Sequence, residues 1–160
     1  MSFTELNSVE YYIIRELTGV NLNSGNFGEA KPRYGTDWQF RSASDLNRSV
    51  NEVLIESDLK EALIRLNPEI QINPNLADEV IYKLRAILIS VQQVGLVKAN
   101  EEFFKWMIGD KTMPFGDNNR HVPIRLIDFE DLTNNQYTLT NQFRVHHRET
   151  KIPDIVLFIN

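Results

Sequence analysis

Cysteine is absent from the 160 residues, which removes disulfide scaffolds, Cys-ligated zinc, iron–sulfur clusters and cysteine nucleophiles from consideration. No apolar run approaches the ~20 residues that a membrane-spanning helix needs. The opening residues, Met1-Ser-Phe-Thr-Glu5, carry neither a basic nor an apolar stretch, so no secretion signal is expected and the cytoplasm is the expected compartment. Excess positive charge is lacking too: 17 Lys and Arg face 22 Asp and Glu, for a net charge of −5. That excludes a generally basic, nucleic-acid-coating protein and leaves room for a local basic groove. Gly25 and Gly28 lack the Lys-Ser/Thr and the strand-to-helix setting of a phosphate loop. No serine sits in a nucleophile elbow, and neither internal repeats nor low-complexity segments occur. What is present, 42% apolar and 24% charged residues, is the composition of an ordinary globular chain of about one domain's length.

Apolar spacing predicts four helical stretches. In the first, from Phe3 to Leu17, Leu6, Val9, Ile13, Ile14 and Leu17 share a face; Ser2 or Thr4 can cap its start and Gly19 its end. Residues 20–33 read as loop, and the alternating aromatics of 34–40 as a short strand or an ordered loop. Residues 52–66 align Ile55, Leu59, Ala62, Leu63 and Leu66, and Asn67-Pro68 stops that helix because proline cannot continue the ladder. Residues 75–91 carry a broad apolar face of Leu76, Val80, Ile81, Leu84, Ile87, Leu88 and Val91. Residues 97–108 carry Val97, Phe104, Met107 and Ile108, and end at Gly109. All these stripes are expected to pack in the core.

Beyond Gly109 strand formers dominate. Gly116-Asp-Asn-Asn119 is a turn signal, residues 121–129 alternate in their central part, and 136–146 form a second run after a turn at Asp131–Asn135. Ile155-Val-Leu-Phe-Ile159 is continuously apolar, the pattern of a strand buried on both faces. It leads straight to Asn160, a residue that favours turn starts, so the sequence reads as though cut within a β-hairpin.

Candidate chemistry is sparse. His146 and His147 are adjacent, would point to opposite faces of a strand and cannot share one ion; with His121 they are expected at the surface. Asp154 stands apart. It follows Pro153 and precedes the most apolar strand, where a carboxylate is costly unless a cation, a hydrogen bond or a helix dipole compensates it. It is either a structural residue at a strand start or a functional one.

An ordered series of residues decides between these. Ile124-Arg-Leu-Ile-Asp-Phe129, Asn135, Asn141-Gln-Phe143 and Pro153-Asp-Ile-Val-Leu-Phe-Ile-Asn160 follow one another, after the Leu-Asn-Pro68 that closes the second helix and Ala99-Asn-Glu-Glu-Phe103 in the fourth. The series, spanning about residues 50–160, resembles the N-terminal nuclease domain of type I restriction enzyme R subunits, which read RLIDF…NN…NQF…RPDIVLFVNGLPLVVIELK. The resemblance implies an α/β fold with a restriction-endonuclease-like core, truncated here, its helices packed on a small mixed β-sheet. Residues 1–160 would be one domain, 1–110 mainly helical and 111–160 mainly strands, stopping before the ExK strand. It further implies a PD-(D/E)xK nuclease in which Asp154 is catalytic and binds Mg²⁺. Glu and Lys of ExK, one residue apart on the next strand and so facing the same side, would join it. A first-helix carboxylate often completes such sites; Glu10 fits the family spacing best and Glu5 second. The metal polarises the scissile phosphate, and the Lys steadies developing negative charge.

The same likeness implies cleavage of double-stranded DNA, ATP-driven translocation by motor domains outside these residues, and methylation and specificity subunits as partners. Without the Glu and Lys of ExK, residues 1–160 alone are expected to cut nothing and to hold Mg²⁺ poorly. Their exposed edge strand is expected to favour a homodimer by strand addition. Ile152 stands where the family usually has Arg, so any contact made by that Arg is not expected here. The alternatives are a non-catalytic PD-(D/E)xK-like module that binds DNA or protein, and a helical interaction module with incidental strands.

Overall fold

The computed structural model describes residues 9–22 and 38–160. The expected caps Ser2 and Thr4, most of the 20–33 loop, the aromatic Tyr34 and Glu5 lie outside the described residues. In chain order the elements are α1 (Tyr11–Thr18), β1 (Trp38–Phe40), α2 (Glu56–Leu66), α3 (Pro68–Ile72), α4 (Leu76–Val94), α5 (Leu96–Met107), β2 (Thr112–Gly116), β3 (Arg120–Pro123), β4 (Tyr137–Asn141), β5 (Val145–His146), β6 (Thr150–Lys151) and β7 (Ile155–Ile159). No helix among the described residues is long and apolar enough to cross a membrane. The residues gather into two compact units. One holds the chain up to Ile55 together with Gln136–Ile159; the other holds Glu56–Asn135 with Asn160.

The first unit is built on a three-stranded mixed sheet of order β1-β4-β7, with β1 parallel and β7 antiparallel to β4. The central strand supplies the buried register. Leu139 lies opposite Phe40 and Leu157, and both Leu139 and Thr140 are fully buried. Helix α1 ends where the sequence predicts, because Gly19 takes the left-handed conformation (φ 76°) and returns its N–H to the Arg15 carbonyl at 2.9 Å. Leu46, Ile55 and Phe143 form a core against which Val145, Val156 and Phe158 pack. The Arg48 guanidinium lies 3.6 Å over the Phe143 ring and donates to the Ser49, Glu52 and Arg144 carbonyls, so one cation fastens the 49–52 segment to residue 144.

Strand β7 corrects an expectation. It is an edge strand, and Leu157 and Ile159 are 50% and 42% exposed rather than buried on both faces. Its unbroken apolar run reflects side chains that one three-stranded sheet covers only on one face.

The second unit carries α2 to α5 and the β2–β3 hairpin. Its core runs through Leu59, Ala62, Leu63 and Leu66 of α2, Ile70 of α3, Val80, Ile81 and Leu84 of α4, and Met113, Val122, Ile124 and Leu126. The expected core faces of the two long helices hold only in part. Leu88, Val97, Phe104, Met107 and Ile108 are exposed, whereas Ala99 and Trp106 carry the burial in α5. Amphipathic spacing identifies a helix face that can pack, but tertiary contact decides how much of it does. Strand β3 is also shorter than the alternation suggested. It ends at Pro123, after which the Ile124 N–H makes one more bond, to the Lys111 carbonyl at 2.9 Å, and burial continues to alternate through Ile124, Leu126 and Asp128.

Two buried polar groups brace this unit. Asn67, 3% exposed between α2 and α3, donates to the Leu63 and Arg125 carbonyls and accepts the Arg125 N–H at 2.8 Å. Its amide mimics a backbone strand partner for residue 125. In the 126–135 turn, Asp128 Oδ1 accepts the N–H groups of Glu130 and Asp131, and Oδ2 accepts Asn134 Nδ2 at 2.9 Å. Asn135 clamps the same turn, accepting the Asp128 N–H and the Asn160 amide while donating to the Asp128 carbonyl.

The Asn134 donor, followed by the Asp131 N–H, holds the Asp128 carboxyl below its ordinary range. A depressed folded value contributes stability above the unfolded value near 3.8 and loses it as pH falls through the folded value. Thermal denaturation of Asp128→Asn should therefore show its full deficit above about pH 5 and a shrinking one below about pH 4. Asn67→Ala should cost about 1–3 kcal/mol in chemical denaturation, since it takes the side-chain partner from both the N–H and the carbonyl of Arg125; no change in stability would remove Asn67 as a brace.

Candidate active site

The last ladder pair of β4 and β7, Asn141 opposite Ile155, is followed by two further backbone bonds. Gln142 N–H donates to the Asp154 carbonyl at 3.1 Å, and Phe143 N–H to the Pro153 carbonyl at 3.2 Å. Asp154 is thereby placed at one corner of the sheet, solvent-exposed, with its backbone tied and its carboxylate without a cation partner among the described residues. Gln142 reaches this position in the left-handed region (φ 53°), which L side chains adopt at a cost. Strain of that kind clusters at functional sites.

What the strained backbone achieves is an aimed side chain. Gln142 Nε2 donates to Glu10 Oε1 at 2.9 Å, and Asn141 Nδ2 donates to Glu10 Oε2 at 3.2 Å. Glu10, immediately before α1, is only 4% exposed. Burying a carboxylate is expensive, and two amide donors are what make it tolerable. Gln142 thus serves two carboxylate-bearing residues at once, Glu10 through its side chain and Asp154 through its backbone.

Both predicted site residues that lie within the described chain therefore belong to one neighbourhood, linked by Gln142. Glu5 lies outside the described residues. Among the described residues no three His, Asp or Glu side chains gather to hold a metal. The donor set is nonetheless suited to Mg²⁺, which is commonly held by one or two carboxylates completed by water and substrate phosphate oxygens. Among the described residues each Glu10 oxygen accepts one amide hydrogen, and a carboxylate oxygen has a second lone pair. The three histidines are exposed, as expected; His121 and His146 each hydrogen-bond a threonine hydroxyl.

Sequence reasoning attached no role to Asn141 and Gln142. An available signal was chemical: a buried first-helix carboxylate needs neutral donors, and adjacent Asn and Gln side chains at a strand end can supply them without adding charge.

Residues 29–160 match the family described as type I restriction enzyme R protein N terminus. Over 133 residues, 80% of the chain, it is 28% identical to the type I restriction enzyme HindI endonuclease subunit of Haemophilus influenzae. Over 158 residues, 95% of the chain, it is 23% identical to a putative type I restriction enzyme MjaIXP endonuclease subunit of Methanocaldococcus jannaschii. The aligned regions make up 12% and 14% of those relatives, so the chain spans a small part of their length. No solved structure matches the chain.

Replacing Gln142 separates its side-chain role from its backbone role. Gln142→Ala should destabilise the chain by about 1.5–3 kcal/mol, the usual worth of a hydrogen bond to a charged group. Gln142→Gly should recover about 1 kcal/mol of that loss, because glycine accepts positive φ freely. Combining Gln142→Ala with Glu10→Gln should cost less than the sum of the two; strict additivity in denaturation experiments would mean that the two side chains do not act together.

Proposed function

The chain belongs to the family of type I restriction enzyme R protein N termini, and from that membership we propose that it forms the N-terminal part of a Mg²⁺-dependent nuclease that cuts double-stranded DNA. The core of this reading is restriction-endonuclease-like, with Asp154 as the catalytic, metal-binding carboxylate and Glu10 as its first-helix companion. The observation that carries it is the corner formed by Glu10, Gln142 and Asp154: a buried carboxylate held by two amides, joined by one residue to an exposed carboxylate at the start of β7.

These residues play distinct parts. Asp154 offers unpaired oxygens to a cation from the surface. Glu10, fixed in orientation by Asn141 and Gln142, offers oxygens that need not reorganise when the cation arrives, and preorganised groups of this kind are more effective than mobile ones. Mg²⁺, when bound, would polarise the scissile phosphate and favour formation of hydroxide. The Glu and Lys of the ExK strand would complete the site, and a polypeptide of residues 1–160 alone would not cut. In the intact subunit, motor domains would couple cleavage to ATP-driven translocation, with methylation and specificity subunits assembled around them.

The competing reading, a non-catalytic DNA- or protein-binding module, draws on the same corner, since two amides suffice to stabilise Glu10 without any metal. Cleavage by the intact subunit in its restriction complex separates the two. Asp154→Asn should reduce DNA cleavage by at least about 10³-fold while DNA-stimulated ATP hydrolysis continues, and Glu10→Gln should reduce it less. The expected size follows from the several kcal/mol that a catalytic metal ion supplies. Undiminished cleavage by Asp154→Asn would refute the assignment.

A further inference from the structure

The eleven residues between Gln142 and Asp154 leave and re-enter the site through adjacent backbone bonds, so the excursion they form is pinned at its base to the candidate active site. Within it β5 and β6 pair antiparallel, Val145 with Lys151 and His146 with Thr150. The His146 N–H is anchored to the Val50 carbonyl at 2.8 Å, and the Arg144 carbonyl accepts the Arg48 guanidinium. This is a braced projection, and it is basic. Arg144, Arg148 and Lys151 stand against Glu149 alone, on a chain whose net charge is −5. All four are exposed, and the Arg144 and Arg148 side chains have no ion-pair or hydrogen-bond partner among the described residues. Lys151 pairs with Glu149 at 2.8 Å, but both side chains are about three-quarters exposed, and such a pair is readily exchanged.

We infer that the β5–β6 hairpin is a clamp for the phosphate backbone of double-stranded DNA, using Arg144, Arg148 and Lys151 to hold the duplex across the corner where Asp154 lies. The inference rests on the nuclease reading for the identity of the polyanion. The physical need is plain. A site built from two carboxylates repels phosphates, and the hairpin supplies opposite charge where the chain leaves that site. Arg144 precedes β5, Arg148 lies in the turn and Lys151 ends β6, so the cations are spread along the hairpin and can meet successive phosphates of one DNA strand. The contacts are to phosphate, so they position the duplex without reading its sequence.

Binding of the 160-residue chain to two unrelated, fluorescently labelled duplexes of about 20 base pairs tests this. The measurement is made in EDTA, across about 50 to 200 mM KCl. The combined Arg144→Gln, Arg148→Gln and Lys151→Gln variant should reduce the slope of log affinity against log salt by about 2 to 3, equally on both duplexes. Arg144→Lys with Arg148→Lys should retain the slope. Lys83→Gln, Lys98→Gln and Lys105→Gln, which remove the same charge from α4 and α5, should leave it nearly intact. Absence of binding by the unaltered chain, an unchanged slope in the hairpin variant, or equal losses from both triple variants would each overturn the clamp. Failure of the nuclease reading shows in cleavage by the intact subunit; failure of the clamp shows in this metal-free binding.

Discussion

A single backbone bond, Gln142 N–H to the Asp154 carbonyl, ties the candidate site to the sheet of the first compact unit. It extends the β4–β7 pairing past the ladder's last pair, and it does so with Gln142 in a conformation that side-chain-bearing residues avoid. Three consequences follow from one bend. Asp154 is held at the sheet corner, the Gln142 amide is turned onto Glu10, and the base of the β5–β6 hairpin is closed. The local cost of a left-handed glutamine is about 1–2 kcal/mol, the same order as one hydrogen bond to a charged acceptor, so the strain and the Glu10 contact are energetically matched.

The residues that carry the family likeness divide into two kinds. Asn67, Asp128 and Asn135 satisfy backbone groups in turns of the second unit and touch no candidate chemistry. Buried polar side chains of this sort specify one turn geometry, because every alternative leaves donors or acceptors unmet. Asn141 and Gln142 are different: their amides satisfy a charged side chain, not a turn. A resemblance made of both kinds says more about shared architecture than about chemistry, and only the geometry tells them apart.

Local signals were legible where one residue determines the outcome. Gly19 ends α1 and Asn67-Pro68 ends α2, since each imposes a backbone conformation irrespective of tertiary contacts. Burial was less legible. The apolar faces at Leu88, Val97 and Phe104, and the continuous run of β7, have the spacing of core segments, yet they are exposed or half-buried. Periodicity records which side chains can be covered and carries no information about the number of layers available to cover them. Within the candidate site, the resemblance named Asp154 through its Pro-Asp pair and Glu10 through first-helix spacing, with Glu5 second. The part played by Gln142 was not legible, because it depends on a positive φ that glutamine does not advertise.

Charge is the remaining element, and here the average misleads. A net charge of −5 argues against an extended nucleic-acid-binding surface, but field strength near a site depends on the nearest charges, because salt screens beyond about 8–10 Å. A duplex at the sheet corner would meet Asp154 from the front and Arg144, Arg148 and Lys151 along the hairpin that begins and ends there. In that reading, concentrating cations on a braced hairpin would let an acidic protein hold a polyanion locally. Under the proposed reading the same arrangement would reconcile a carboxylate site with a phosphate substrate: attraction would come from fixed cations that need no metal, leaving the carboxylates for the metal ion.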